Sequence, residues 1–137
     1  MGLFGNKEKK AAKQEALRQE LARLDALPIA QLAEEVLRRL WADGSATNDR
    51  RTPTEIEREF APVTGLLGQD NETRDGVKGI ALEGVFALEG AGLLKHQFEN
   101  QGANHISQMY FKITRQGQAA LADGSVAQRV EAVPAVA

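Results

Sequence analysis

The chain has 137 residues, enough for one domain with a modest core and some additional helix, and too few for two independent cores. It has no cysteine, which excludes disulfides and thiolate chemistry and makes a cytoplasmic setting the expectation. Its charge is uneven: Met1–Leu24 holds six Lys and Arg against three Glu, whereas the remainder holds eleven basic and sixteen acidic residues. An acidic body counts against strong nucleic-acid binding unless the charges are sorted onto faces, because such binding draws on cations that neutralise phosphates.

No apolar run approaches the roughly 20 residues that cross a bilayer, so no membrane span is expected. The opening MGLFGNKEKKAAKQ has too short an apolar patch for a secretory signal, and Asn6 stands where a myristoylation signal has Ser or Thr. Lys7 to Leu24 is built of good helix formers. Leu17, Leu21 and Leu24 share one stripe, a narrow apolar seam. Two readings stay open for this basic arm, residues 1–26. It packs on its own domain, or it joins two copies as a short coiled coil, which two turns of seam cannot hold alone. Lys7, Lys9, Lys10 and Lys13 give its tip the charge to touch a phosphate backbone or an anionic surface.

Pro28 interrupts the chain and suits the first turn of a new helix. Ile29, Leu32, Ala33, Val36, Leu37, Leu40 and Trp41 follow the helical period closely, with Gln31, Glu34, Glu35, Arg38 and Arg39 opposite. Asp43-Gly44 ends that helix, and SATNDRR reads as a polar loop with Arg50 and Arg51 in solvent. Thr52-Pro53-Thr54-Glu55 is a capping-box start for a short helix with Ile56 and Phe60 inward, ending before Pro62. A long loop follows, anchored by Leu66 and Leu67, with Gln69 to Asp75 exposed.

Val77, Ile80, Ala81, Val85, Ala87 and Leu88 then form the broad apolar face of another helix. Its opposite face holds Lys78, Gly79, Leu82, Glu83, Phe86 and Glu89. Gly90 and Gly92 end it. Two alternating runs follow: Leu94, His96 and Phe98 point one way, with Met109, Phe111 and Ile113 inward on the second strand, and Lys95, Gln97, Glu99, Gln108, Tyr110 and Lys112 point the other. Asn100 to Asn104 is turn chemistry. Thr114 caps a helix to about Ala122, with Gly117 allowing close packing. Residues 124–137, rich in Ala and Val, show no period and read as a disordered tail.

Leu88, Gly92, Leu93, Tyr110, Ile113, Thr114, Gly117 and Leu121, in the order helix, hairpin, helix, resemble the second half of the winged-helix domain of bacterial transcription regulators such as the MarR and PadR families. The resemblance implies a mainly α fold with a small β-hairpin, a winged helix-turn-helix domain over residues 27–123 preceded by the helical arm. It also implies a dimeric regulator that binds double-stranded DNA, with the helix near Lys78 and Leu82 at the groove and Lys95, His105 and Lys112 of the wing on phosphates. Base readout uses Arg, Asn, Gln or Lys, and the outward face of that helix offers one lysine, two glutamates and two large apolar groups. The alternative is a winged-helix fold used as a protein-interaction module, with Leu82 and Phe86 at the interface.

Enzyme chemistry has little support. The two histidines, His96 and His105, with Glu99 fall short of the convergent ligands a metal needs. GVKGIALEG lacks the Gly-Lys-Ser/Thr ending of a phosphate loop. No catalytic, metal or cofactor-binding residues are expected.

Overall fold

The computed structural model describes residues 2–41, 50–61, 71–101 and 106–134, with side chains undescribed for residues 2–10, 71, 100, 101, 106 and 107. The elements, in order, are α1 (Gly2–Asp25), α2 (Ile29–Trp41), β1 (Arg50–Arg51), α3 (Pro53–Phe60), α4 (Asn71–Gly90), β2 (Leu94–Gln101), β3 (Ile106–Ile113), α5 (Arg115–Asp123) and α6 (Val126–Glu131). The fold is mainly helical with a small antiparallel sheet. That sheet has three strands in the order β1-β3-β2, one more than the hairpin alone: Arg50 and Arg51, expected in a solvated loop, pair with Lys112 and Phe111.

The core lies where α2 crosses α4. Leu32, Ala33, Val36, Leu37, Leu40 and Trp41 of α2 are buried against Val77, Ala81, Val85 and Leu88 of α4, and the crossing is close because Gly84 lies beneath Val36 and Leu32. Ile29, expected on the apolar face, is half-exposed at the start of α2. Helix α3 begins as expected: the Thr52 hydroxyl accepts from the Glu55 backbone N–H while the Glu55 carboxylate accepts from the Thr52 N–H, with Pro53 at the first helical position. It closes the core with Ile56 and Phe60.

The residues that carried the winged-helix resemblance form one knot. Helix α4 ends in a Schellman turn, the Leu93 N–H bonding Leu88 O at 2.9 Å and the Gly92 N–H bonding Glu89 O at 2.9 Å, with Gly92 left-handed at φ 79°, a conformation that a side chain opposes. The Thr114 N–H donates to Leu93 O at 3.0 Å. Its hydroxyl donates to Gly92 O at 2.6 Å and accepts the Gly117 N–H at 3.0 Å. Strand, turn and α5 are thereby locked together.

Two expectations are corrected. Helix α4 begins at Asn71 and not near Val77, and within the stretch expected to be exposed Thr73 is buried. The tail from residue 124 is not disordered throughout: Gly124 caps α5 in the left-handed conformation, and α6 buries Val126 and Val130, one turn apart, in the core. Of the two readings open for the arm, its contacts support packing on its own domain. Leu24 has no exposed surface, Leu17 and Leu21 pack against the core, and Leu21 fills the space over Gly76 of α4. Among the described residues no helix is long and apolar enough to cross a membrane.

Ion pairs fasten α1 to α2. Arg23 bonds Glu20 and Glu35, each at 2.6 Å. Arg39 approaches both carboxylates, pairs with Glu59 at 3.2 Å and lies 4.0 Å over the Phe60 ring. The Arg23 hydrogen bonds hold Glu20 and Glu35 below the usual glutamate range, against the opposing cost of their partial burial. A carboxylate with a lowered folded pKa contributes stability above its unfolded pKa and loses it as pH falls through the folded value. Melting temperature is therefore expected to fall as the pH drops below the ordinary glutamate range. Glu35→Gln is expected to make that fall shallower, which thermal melts across the pH series check.

Candidate interaction face

The inner and outer faces of the hairpin differ in chemistry, and the register shows why. Leu94↔Ile113, His96↔Phe111 and Phe98↔Met109 share the inner face, and Lys95↔Lys112, Gln97↔Tyr110 and Glu99↔Gln108 share the outer one, as the alternation predicted. Helix α4 covers only the base of the inner face. Leu94, Phe111 and Ile113 are buried there, Met109 is half-buried, and Phe98 is 64% exposed.

A continuous aromatic path follows. Phe86 of α4, 55% exposed, sets its ring edge-on to buried Phe111 at 6.2 Å. His96, cross-strand neighbour of Phe111, is edge-on to Phe98 at 5.9 Å. Glu89 of α4 contacts the His96 ring through Nδ1, tying helix to strand. Apart from Ile29 and Val133, these two phenylalanines are the exposed large hydrophobics among the described residues, and both lie on the inner side of the hairpin, Phe98 by its register and Phe86 by its contact with Phe111. Two exposed rings on one side of a hairpin mark a contact surface more than a solvated one. Leu82, expected beside Phe86, is half-buried and adds little to the face. The missed member is Phe98: alternation gave its direction but not its lack of cover, although an eight-residue strand outruns the width of one helix by simple length.

The face expected to meet DNA has a different character. Among the described side chains of α4 the exposed ones are Glu72, Asp75, Gly79, Glu83, Phe86 and Gly90, a stripe in which none is a base-reading donor. Lys78 is half-exposed and lies 3.5 Å from Glu57 of α3, whose other oxygen is 3.3 Å from Arg74. A phosphate would have to take Lys78 from that carboxylate. On the outer sheet face Arg50, Lys112 and Lys95 form a row across the three strands, with Arg50 reaching over the Tyr110 ring at 4.9 Å to Glu99 at 2.7 Å. Arg50 joins the hairpin because β1 pairs there.

Lys13 is exposed on α1. Lys7, Lys9 and Lys10 lie on the same helix, but their side chains fall outside the described residues, as does His105 altogether. The loop with Leu66 and Leu67 also lies outside them. His96 and Glu99, weighed together for a metal, occupy opposite sheet faces. A cleft lined by Arg39, Arg51, Glu55, Arg58 and Glu59 mixes both charge signs, and its Arg39–Glu59 pair is already made. Compared with protein-family models, with curated proteins and with solved structures, the chain matches none.

Proposed function

We propose that this chain is a winged-helix domain used as a protein-interaction module, with Phe86, Phe98 and the half-buried Met109 as its contact face. The observation that carries the reading is the exposure of both rings on the inner side of the hairpin, together with an α4 stripe whose described residues are acidic and apolar where a recognition helix would be basic or amidic. Burial of both rings supplies the favourable energy of contact. The fold itself is part of the proposal, supported by the Gly92–Leu93–Thr114–Gly117 knot.

One observation favours the other reading, a regulator on duplex DNA: like charges opposite one another weaken a sheet, and Arg50, Lys112 and Lys95 stand in such a row, where a phosphate would relieve them. Two measurements separate the readings. The protein is expected to show no salt-sensitive binding to labelled duplex DNA at low salt, whereas phosphate contacts would give a clear salt slope. A photo-crosslinking benzoylphenylalanine at Phe98 is expected to form a protein adduct in the cell, and the same group at exposed Ala119 of α5 is not. Salt-dependent duplex binding that Lys95→Glu with Lys112→Glu abolishes, and no adduct at position 98, would replace the module by the regulator.

A further inference from the structure

Strand β2 is an edge strand of eight residues. Among the described residues no strand pairs with its outer side, and it has none of the proline by which edges are commonly blunted. Its outward backbone groups are identifiable. The His96 N–H turns away from β3 to the Glu89 carboxylate at 3.4 Å, and Leu93 O faces the Thr114 N–H on the β3 side. The even-numbered residues of β2 therefore present their N–H and C=O outward.

We propose that β2 pairs antiparallel with β2 of a second copy, about a two-fold axis at Gln97, to make a continuous six-stranded sheet. This rests on the interaction-module reading and names its partner. Charge chooses the register. An axis at Lys95 or at Glu99 sets like charges opposite one another, which is destabilising, and an axis at His96 or at Phe98 gives neither Lys95 nor Glu99 a partner of opposite charge. An axis at Gln97 places Lys95 opposite Glu99 of the second copy, twice, and makes His96 with Phe98 the reciprocal hydrogen-bonded pair, in phase with the outward groups. A two-fold axis perpendicular to the sheet keeps both inner faces on one side, so Phe98 and His96 of the two copies gather near the axis and Phe98 loses its exposure. The contact is isologous and closes on itself. The 3.4 Å bond from His96 N–H to Glu89 is long and gives way to the strand ladder, while Glu89 keeps the His96 ring.

The test uses two single variants of the full chain, Lys95→Glu and Glu99→Lys, each checked for an unchanged fold by circular dichroism, and sedimentation equilibrium for mass. The native protein is expected to be a dimer. Each variant alone sets like charges opposite one another at both ends of the strand pair and is expected to weaken association about tenfold or more. Mixed together, the all-acidic strand of the first meets the all-basic strand of the second, and a heterodimer is expected to form. A monomeric native protein, a dimer indifferent to both variants, or variants that stay apart when mixed would each overturn the proposal. The adduct at position 98 separates the two levels: one of twice the chain mass agrees with self-pairing, one with a different protein retains the module and removes the second copy, and none removes both.

Discussion

Gly117→Ala is expected to destabilise the domain by about 3 kcal/mol, at the upper end of what overpacking costs. A methyl at Gly117 would lie 2.3 Å from the carbonyl oxygen of Leu93 and 2.7 Å from the side chain of Ile113, and the nearer obstacle is backbone. That carbonyl cannot retreat freely, because it accepts the Thr114 N–H, and Thr114 holds Gly92 and Gly117 through its hydroxyl. Helix α5 would have to lift from the hairpin base, taking the cap with it. A fall in melting temperature of roughly 10 °C is expected. Gly79, with open space around its missing side chain, supplies the contrast: Gly79→Ala is expected to raise stability by about 0.5–1 kcal/mol, the helix-propensity gain alone. Equal effects at the two positions would remove the close-approach argument.

Leu24→Ala is expected to cost about 3 kcal/mol, in the range for fully buried leucines. Leu24 sits in the same core as Leu37 and Trp41 and has no solvent exposure, so truncation leaves a cavity inside one chain. The result discriminates between the two roles open to the arm. A leucine in a coiled-coil seam between copies would, when shortened, weaken association and leave the domain nearly as stable. A core leucine lowers the melting temperature and leaves the sedimenting mass unchanged. Denaturant unfolding together with sedimentation on the same sample reads both quantities.

Much of the fold was legible because local rules and the global pattern agree. The capping box at Thr52, the period of Ile29 to Trp41 and the alternation after Gly92 each name an element by short-range geometry, and the structure places those elements there. Two failures have the same origin. Strand β1 is two arginines, with no alternation to read, and it exists only because β3 offers it an edge. Helix α6 carried a faint signal in Val126 and Val130, four apart, but six residues are too few to be stable without the core they enter.

The candidate face divides in the same way. Alternation fixes that Phe98 and Phe111 share a side of the hairpin, since successive side chains must point oppositely. It does not fix that Phe111 is buried and Phe98 open. That depends on where α4 ends relative to the strand, a distance between elements remote in sequence. Lys78 likewise was named as a free cation for DNA, and only the docking of α3 on α4 brought Glu57 within 3.5 Å of it. Apart from β1 and α6, the sequence by itself determined which segments became helix or strand and which of their faces were apolar, because those follow from backbone periodicity and caps. Tertiary structure alone decided which apolar residues stayed uncovered, which charges were already paired and which strand edge was left open, because each of these is set by the lengths and crossings of packed elements.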